Sequence, residues 1–443
     1  MHIQKVVCFI SRATAARNRL AGILVLSVCL RFFLTAYGVD MAEAGSLEAA
    51  ASESPSNTED VGKVQDFLFL PPTTMPTTYR HMADLFATRI VKKGDAVYPL
   101  PRAKKPLAVS LQVKGKTLTI DAFMSRNNVT GLLLIKTGRI VLERYAAGNT
   151  EKTKWPSWSI AKSVTSTLVG AALKDGYIQR IDDPVTKYLP ELKGSAYEGA
   201  TIKNLLQMSS GIRFNEDYAD RDSDFGRLMS CYYDRRGASC VLNLAKAVSK
   251  RDPPGRKFRY ATLDTTVVGL VVMAASHKTL ADYLSEKIWS PFGMEEDALW
   301  VLDSNGGQEF GGALIGATLR DYGRFGELML TGGKAGGKQV VPETWVDEAT
   351  HPRPDTPQVN YGKLAPSGEP IGYGYCWWLY PAHPSSPNGE EAFEAVGIFG
   401  QRLFINRKEK LVGVFWCVWP KSWDNDKALE IEHFLDAAIR ASR

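Results

Sequence analysis

Strand-like stretches stand at both ends of the body of this sequence, and helix-like stretches fill its middle. From about residue 109, LQVKGKTLTI alternates around a Lys-Gly turn, and GLLLIKTGRIVLERYA reads as two strands joined by Lys136-Thr137-Gly138-Arg139. The far end returns to strands at 373–380, 392–398, 402–406 and 411–418, and a helix over 426–442 closes the chain. Between these ends helical periodicity runs to about residue 350, clearest at 201–208, 265–275, 281–289 and 318–330. That order predicts an α+β fold: one sheet built from both ends of the chain, covered by helices, beside an all-helical insertion over roughly 180–350.

Apolar residues make up 44 % of the 443 and charged residues 23 %, ordinary values for a globular chain. A body this long can bury a large core without metals or disulfides. The net charge is +6, and half of it sits in the first 44 residues, where Lys5, Arg12, Arg17, Arg19 and Arg31 outnumber Asp40 and Glu43. No basic stripe remains beyond them, so a nucleic-acid partner is not expected.

That basic leader precedes an apolar run of eleven, LAGILVLSVCL, too short to span a bilayer and suited to a signal-peptide core. Small residues at Ala42 and Ala44, or at Ala36 and Gly38, offer cleavage sites. The alternative is an uncleaved membrane anchor using residues 20–39. Both place the body outside the cytoplasm, periplasmic or secreted. Residues 45–78, rich in Ala, Ser, Glu, Pro and Thr, have linker composition, although FLFL at 67–70 can dock on the body. The expected division is therefore a leader (1–44), a flexible linker (45–78) and one catalytic-sized domain (79–443).

Four cysteines lie beyond the leader: Cys231, Cys240, Cys376 and Cys417. Cys231 and Cys240 flank a short polar loop and are the better candidates for a disulfide; four free, packed thiols are the alternative. No C-x-x-C, H-E-x-x-H or H-x-H spacing occurs, so neither a metal nor another cofactor is expected.

The sharpest chemical feature is Ser159-Ile160-Ala161-Lys162, the one S-x-x-K in the chain. It enters a helix with Ser157 as the expected N-cap, a stripe of Ile160, Val164, Leu168 and Ala171, and a stop at Asp175-Gly176. Residues three apart share a helix face. A serine hydroxyl is a weak nucleophile that needs a base within reach. Lys162 serves only when neutral, so its pKa must fall from about 10.4 toward 7–8, at a cost of about 3–4 kcal/mol. Burial and the positive end of the helix both push that way.

Two further motifs follow. Tyr260, in FRYAT after a Pro-Pro-Gly turn, stands where a loop tyrosine can enter a cleft and donate a proton; a half-buried structural tyrosine is the other reading. Residues 395–401, AVGIFGQ, place Gly397 on an edge-like strand where substrate can approach backbone. A backbone N–H there can join that of Ser159 in an oxyanion hole. A simple strand-end glycine turn is again the alternative.

Order and spacing of these three motifs resemble the serine β-lactamase and penicillin-binding-protein superfamily, which uses S-x-x-K, then Y-x-N or S-x-N, then K-T-G. Residues 202–211 (IKNLLQMSSG), 312–330 and 332–345 look like its class C-related branch of esterases and amidases, over about 129–420. Within that branch, 258–269 and the G-I-x-G-Q run are most similar to 6-aminohexanoate-oligomer hydrolases. The resemblance implies a helix-covered antiparallel sheet with an all-helical domain, and cleavage of a small amide or ester through an acyl-enzyme. It assigns Ser159 as nucleophile, Lys162 as its base, Tyr260 as proton donor, and the N–H groups of Ser159 and Ile398 as oxyanion hole. Two positions depart from the pattern. Thr262 stands where many relatives have Asn, and Ala395 where lactamases have Lys, although Arg402 can bring charge nearby. Tyr218, the acidic stretch 216–224 and Trp377 or Trp378 are candidate cleft walls.

Gly332-x4-Gly337-Lys338 imitates a phosphate loop, but Gln339 replaces its hydroxyl residue and no strand-loop-helix surrounds it. Two competing readings stay open: a non-catalytic binding module on the same fold, and a β-lactamase or D,D-peptidase proper.

Overall fold

The computed structural model describes residues 61–443 apart from 114–115, 336, 352–357, 360–370 and 381–390. The leader, its apolar span 20–39 and the 45–60 part of the expected linker lie outside the described residues.

One eight-stranded sheet organises the domain. Its strands are β1 (Val129–Lys136), β2 (Arg139–Tyr145), β3 (Gln358–Val359), β4 (Ile371–Tyr373), β5 (Trp378–Leu379), β6 (Ala392–Gly397), β7 (Gln401–Asn406) and β8 (Leu411–Cys417). They lie in the order β3-β4-β5-β6-β7-β8-β1-β2, every pair antiparallel. The two ends of the chain meet where β8 pairs with β1, from Leu411 opposite Lys136 to Trp416 opposite Gly131. Gly131 permits that contact: a Cβ there would stand 2.6 Å from the Trp416 ring. The freed indole stacks on Trp155, ring centres 5.5 Å apart.

Strand geometry sends alternate side chains to opposite faces. Leu133 and Ile135 enter one core and Leu132 and Leu134 the other. Helices α1 (Ile160–Lys174) and α3 (Leu319–Leu330) pack on the first face, and α2 (Thr262–Ser276) packs against α1. Gly323 and Gly326 bring α3 onto the sheet, since a Cβ at either would fall within 2.7 Å of Ile135 or Val412. The second face is covered by α4 (Asn425–Ser442), which buries Ile431, Phe434, Leu435 and Ile439. Helix α2 carries many β-branched residues and is apolar nearly all round; burial, not propensity, holds it. Among the described residues no single helix is long and apolar enough to cross a membrane.

Three expectations are corrected. Within 61–78 the flexible-linker reading fails: Val64–Asp66 form a 3-10 turn, Met75–Arg80 a helix, and Phe67, Met75 and Tyr79 are fully buried. The FLFL run and the tyrosine supply enough apolar area to anchor a segment whose composition otherwise reads as linker. The single strand expected over 373–380 is two, β4 and β5, because Cys376 turns the chain through a left-handed conformation (φ 63°). The helical stretch gives way beyond residue 292 to strands Ala298–Val301 and Ile315–Ala317. They join Thr88–Val91 and Trp155–Pro156 in a four-stranded sheet. Pro156 lies on its edge, where a missing N–H is harmless.

Cys231 and Cys240 are joined, linking helices Asp224–Tyr233 and Ala238–Ala247. Cys376 and Cys417 are free and buried, so the all-free alternative does not hold.

Candidate active site

The short strand Trp155–Pro156 delivers the chain to the head of α1 through a strained turn. Trp158 has φ 46°, a left-handed conformation that costs a non-glycine residue about 1 kcal/mol or more. Packing holds it there. Its indole N–H donates to Tyr79 Oη at 3.1 Å, and Phe67 and Phe399 lie against its ring. Ser157 is not the helix cap that the sequence suggests. Its hydroxyl accepts from the Ile315 N–H and donates to the Trp158 carbonyl, both at 2.9 Å, tying the turn to the neighbouring strand. Ser159 takes the cap position instead, and its side chain caps nothing. The Ser159 hydroxyl is therefore left for Lys162.

Lys162 Nζ lies 2.9 Å from Ser159 Oγ. It also donates to the Gly312 carbonyl at 2.8 Å and to Thr262 Oγ1 at 2.9 Å. Gly312 has to be glycine, because a Cβ would stand 2.8 Å from Thr262. Only 1 % of Lys162 is exposed. Burial lowers its pKa to about 8, against an opposing pull from Glu216. The amine is thus about half neutral near pH 8 and mostly neutral above it.

Thr262 heads α2 and connects this pair to a third group. Its N–H donates to Glu216 at 2.8 Å, and its hydroxyl donates to the same carboxylate. Tyr218 Oη adds a third bond at 3.0 Å. The residue preceding α2, Ala261, has no capping side chain, so Glu216 supplies the negative group that a helix N-terminus favours. Burial raises the Glu216 pKa, and Lys162 and the Thr262 bonds oppose that rise.

Tyr260 stands across the cleft. Its ring stacks on Trp378 at 5.9 Å, meets Tyr373 edge-on, and lies with its centre 5.1 Å from Lys162 Nζ. Gly397, at the end of β6, passes so close to the nucleophile turn that a Cβ would stand 2.6 Å from the Ser157 carbonyl. This close approach brings Ile398 to the cleft beside Ser159. The Ser159 N–H stands at the head of α1 and the Ile398 N–H just past the end of β6, both residues lining the cleft.

Between these groups opens a cleft of about 230 Å³. Ser159, Tyr260, Tyr218, Trp378, Gly397 and Ile398 all line it, and Lys162 sits directly behind Ser159. Trp377 does not; it is fully buried beside Phe393. Nor is Arg402 an available cation: it is buried and paired with Glu394 at 3.1 Å, and Glu394 is the residue facing the cleft. Ala395 is buried and contributes no charge. Glu216 could be read from the sequence only as one of five acids between 216 and 224, and Thr262 only as a departure from a motif. Nothing in the sequence singles out Gly312 or Glu394.

A family model described as Beta-lactamase matches residues 118–435. The 6-aminohexanoate-dimer hydrolase of Paenarthrobacter ureafaciens is 26 % identical over 374 residues, 81 % of this chain and 91 % of its own length. A solved structure from Bacillus anthracis carrying the 6-aminohexanoate-dimer hydrolase name superposes with a TM-score of 0.72 at 25 % identity. It covers 87 % of this chain and 98 % of that one. A family VIII carboxylesterase shares the fold, with a TM-score of 0.54 at 19 % identity over 72 % of this chain and 96 % of its own. The match runs from the strands through the site to α4, and this chain belongs to the Beta-lactamase family.

Proposed function

We propose that this protein is a serine hydrolase that opens an amide or ester bond of a small molecule through an acyl-enzyme. One observation carries this reading: a buried amine, held near pKa 8, lies 2.9 Å from an uncapped serine hydroxyl at the wall of a cleft. Hydrogen-bond arithmetic supports the direction of proton transfer. A neutral amine has two N–H groups and one lone pair. The Gly312 carbonyl can only accept, and the Thr262 hydroxyl gives its proton to Glu216, so both take N–H groups from Lys162. The lone pair is left for the Ser159 O–H.

In the proposed reaction Lys162 takes the Ser159 proton as Oγ bonds to the substrate carbonyl carbon. The N–H groups of Ser159 and Ile398 hold the oxyanion. As the C–N or C–O bond breaks, Tyr260 gives its proton to the leaving group, and the proton held by Lys162 restores the phenol. Water then repeats the sequence on the acyl-enzyme, releasing the acid and regenerating Ser159.

The relative named for hydrolysis of the 6-aminohexanoate dimer, two amino acids joined through an amide, favours an amide as substrate. Among the described residues that line the cleft there is no Lys or Arg, Arg402 is buried against Glu394 and position 395 is uncharged, which favours the amidase or esterase reading over a lactamase. We further propose export, supported by the leader and by the Cys231–Cys240 disulfide, a bond that persists in oxidising compartments. A fluorophosphonate probe followed by peptide mapping tests the enzyme against the non-catalytic module. Label on Ser159, absent in Lys162→Ala, supports the enzyme; a folded protein that takes no label refutes it.

A further inference from the structure

Lys162 is not the last member of the hydrogen-bonded chain that begins at Ser159. The chain continues through the Thr262 hydroxyl to Glu216, which lines the same cleft. Nothing in the three-motif pattern assigns a role to an acid here. We propose that Glu216 is a positioning residue: by holding the Thr262 proton it makes that oxygen an acceptor for Lys162, leaves the amine's lone pair for Ser159, and balances the charge Lys162 gains on taking the serine proton. This proposal rests on the Ser159–Lys162 reading above.

The physical logic is that of a base oriented by a third group. If Glu216 did not accept from Thr262, the threonine hydroxyl could turn and donate to the amine. The lone pair would then point away from the nucleophile. The carboxylate also lies two hydrogen bonds from the ammonium that forms during attack, in a site with little water to screen it. Burial of so polar a group is offset by its three donors: the Thr262 N–H, the Thr262 hydroxyl and Tyr218.

Among the described residues, few other groups face the pair. From the turn between β4 and β5 comes the Cys376 thiol, which burial pushes up to about 12, so it is neutral at working pH. Tyr260 faces Lys162 with its ring. From α2 comes Asp264, bonded by Tyr197 at 3.0 Å and pushed up to about 8 by burial. It titrates in the same window, so the test includes its removal.

The test is the pH profile of kcat/KM for a p-nitrophenyl ester. A nearby carboxylate favours the ammonium form of Lys162, so Glu216→Gln should move the acid limb down by about one pH unit and lower the plateau by up to about tenfold. Glu216→Asp, which keeps the charge, should restore the limb. The Glu216→Gln shift should persist in an Asp264→Asn background. If Glu216→Gln does not fold, Thr262→Val carries the test: it too should shift the limb down, and Thr262→Ser should not. A limb that stays in place in Glu216→Gln or Thr262→Val, in a protein whose activity Ser159→Ala abolishes, overturns the role of Glu216 alone. Activity that survives Ser159→Ala overturns the underlying mechanism instead.

Discussion

The amine of Lys162 reaches the hydroxyl of Ser159 from one turn along the same helix, and the contact is possible because Ser159 caps nothing. The strained Trp158 turn lifts the serine out of the usual capping geometry. A buried, uncommitted hydroxyl and a buried, weakened amine are each costly to a folded protein. Their coincidence at a cleft wall is the physical core of the proposed chemistry.

Burying Lys162 leaves a thermodynamic trace. Its folded pKa of about 8 lies below the value in an unfolded chain, so the folded state resists protonation. Stability relative to Lys162→Met should therefore rise between pH 8 and about 10.5, by about 3 kcal/mol, and stay level below pH 8. Denaturant midpoints of the two proteins across that range check it.

Tyr260→Phe should slow amide cleavage about a hundredfold more than cleavage of an activated ester. An amine must be protonated to leave, whereas a nitrophenolate leaves unaided. Equal losses on both substrates would deny the phenol its role as donor.

Gly397→Ala should lower acylation about a hundredfold, because a Cβ 2.6 Å from the Ser157 carbonyl and 2.9 Å from Trp158 forces β6 away from the nucleophile turn. Far-ultraviolet circular dichroism of the variant should match wild type while Ser159 labelling slows.

Glu394→Gln should cost about 3 kcal/mol of stability by taking from the buried Arg402 guanidinium its ion-paired carboxylate and leaving it only the Glu432 carboxylate. Thermal unfolding measures this. A loss near zero would mean that the Glu394 carboxylate is not what holds the buried Arg402 charge.

What the sequence revealed follows physical range. The hairpin of β1 and β2 and the strands β6 to β8 were legible because apolar runs bounded by turn residues are local signals, and the joining of both ends into one sheet followed from their order. The S-x-x-K pair was legible because helix spacing alone sets residues 159 and 162 on one face. Local rules failed where tertiary contacts decide. Ser157 has the better capping context, yet its hydroxyl is taken by the distant Ile315 N–H. The Pro-Thr run before Tyr79 reads as linker, yet Tyr79 and Phe67 wedge behind Trp158. Glu216 and Thr262 meet across 46 residues, and no spacing rule joins an acid in a polar loop to the head of a later helix.

Neutral Lys162 is proposed as the base for Ser159. Single-turnover acylation of the wild-type protein, followed from pH 6 to 10, tests it most directly. The rate should climb tenfold per unit at low pH and level off above an apparent pKa near 8, and Lys162→Ala should abolish the climb. A rate independent of pH across that range, or a profile unchanged in Lys162→Ala, would contradict the account.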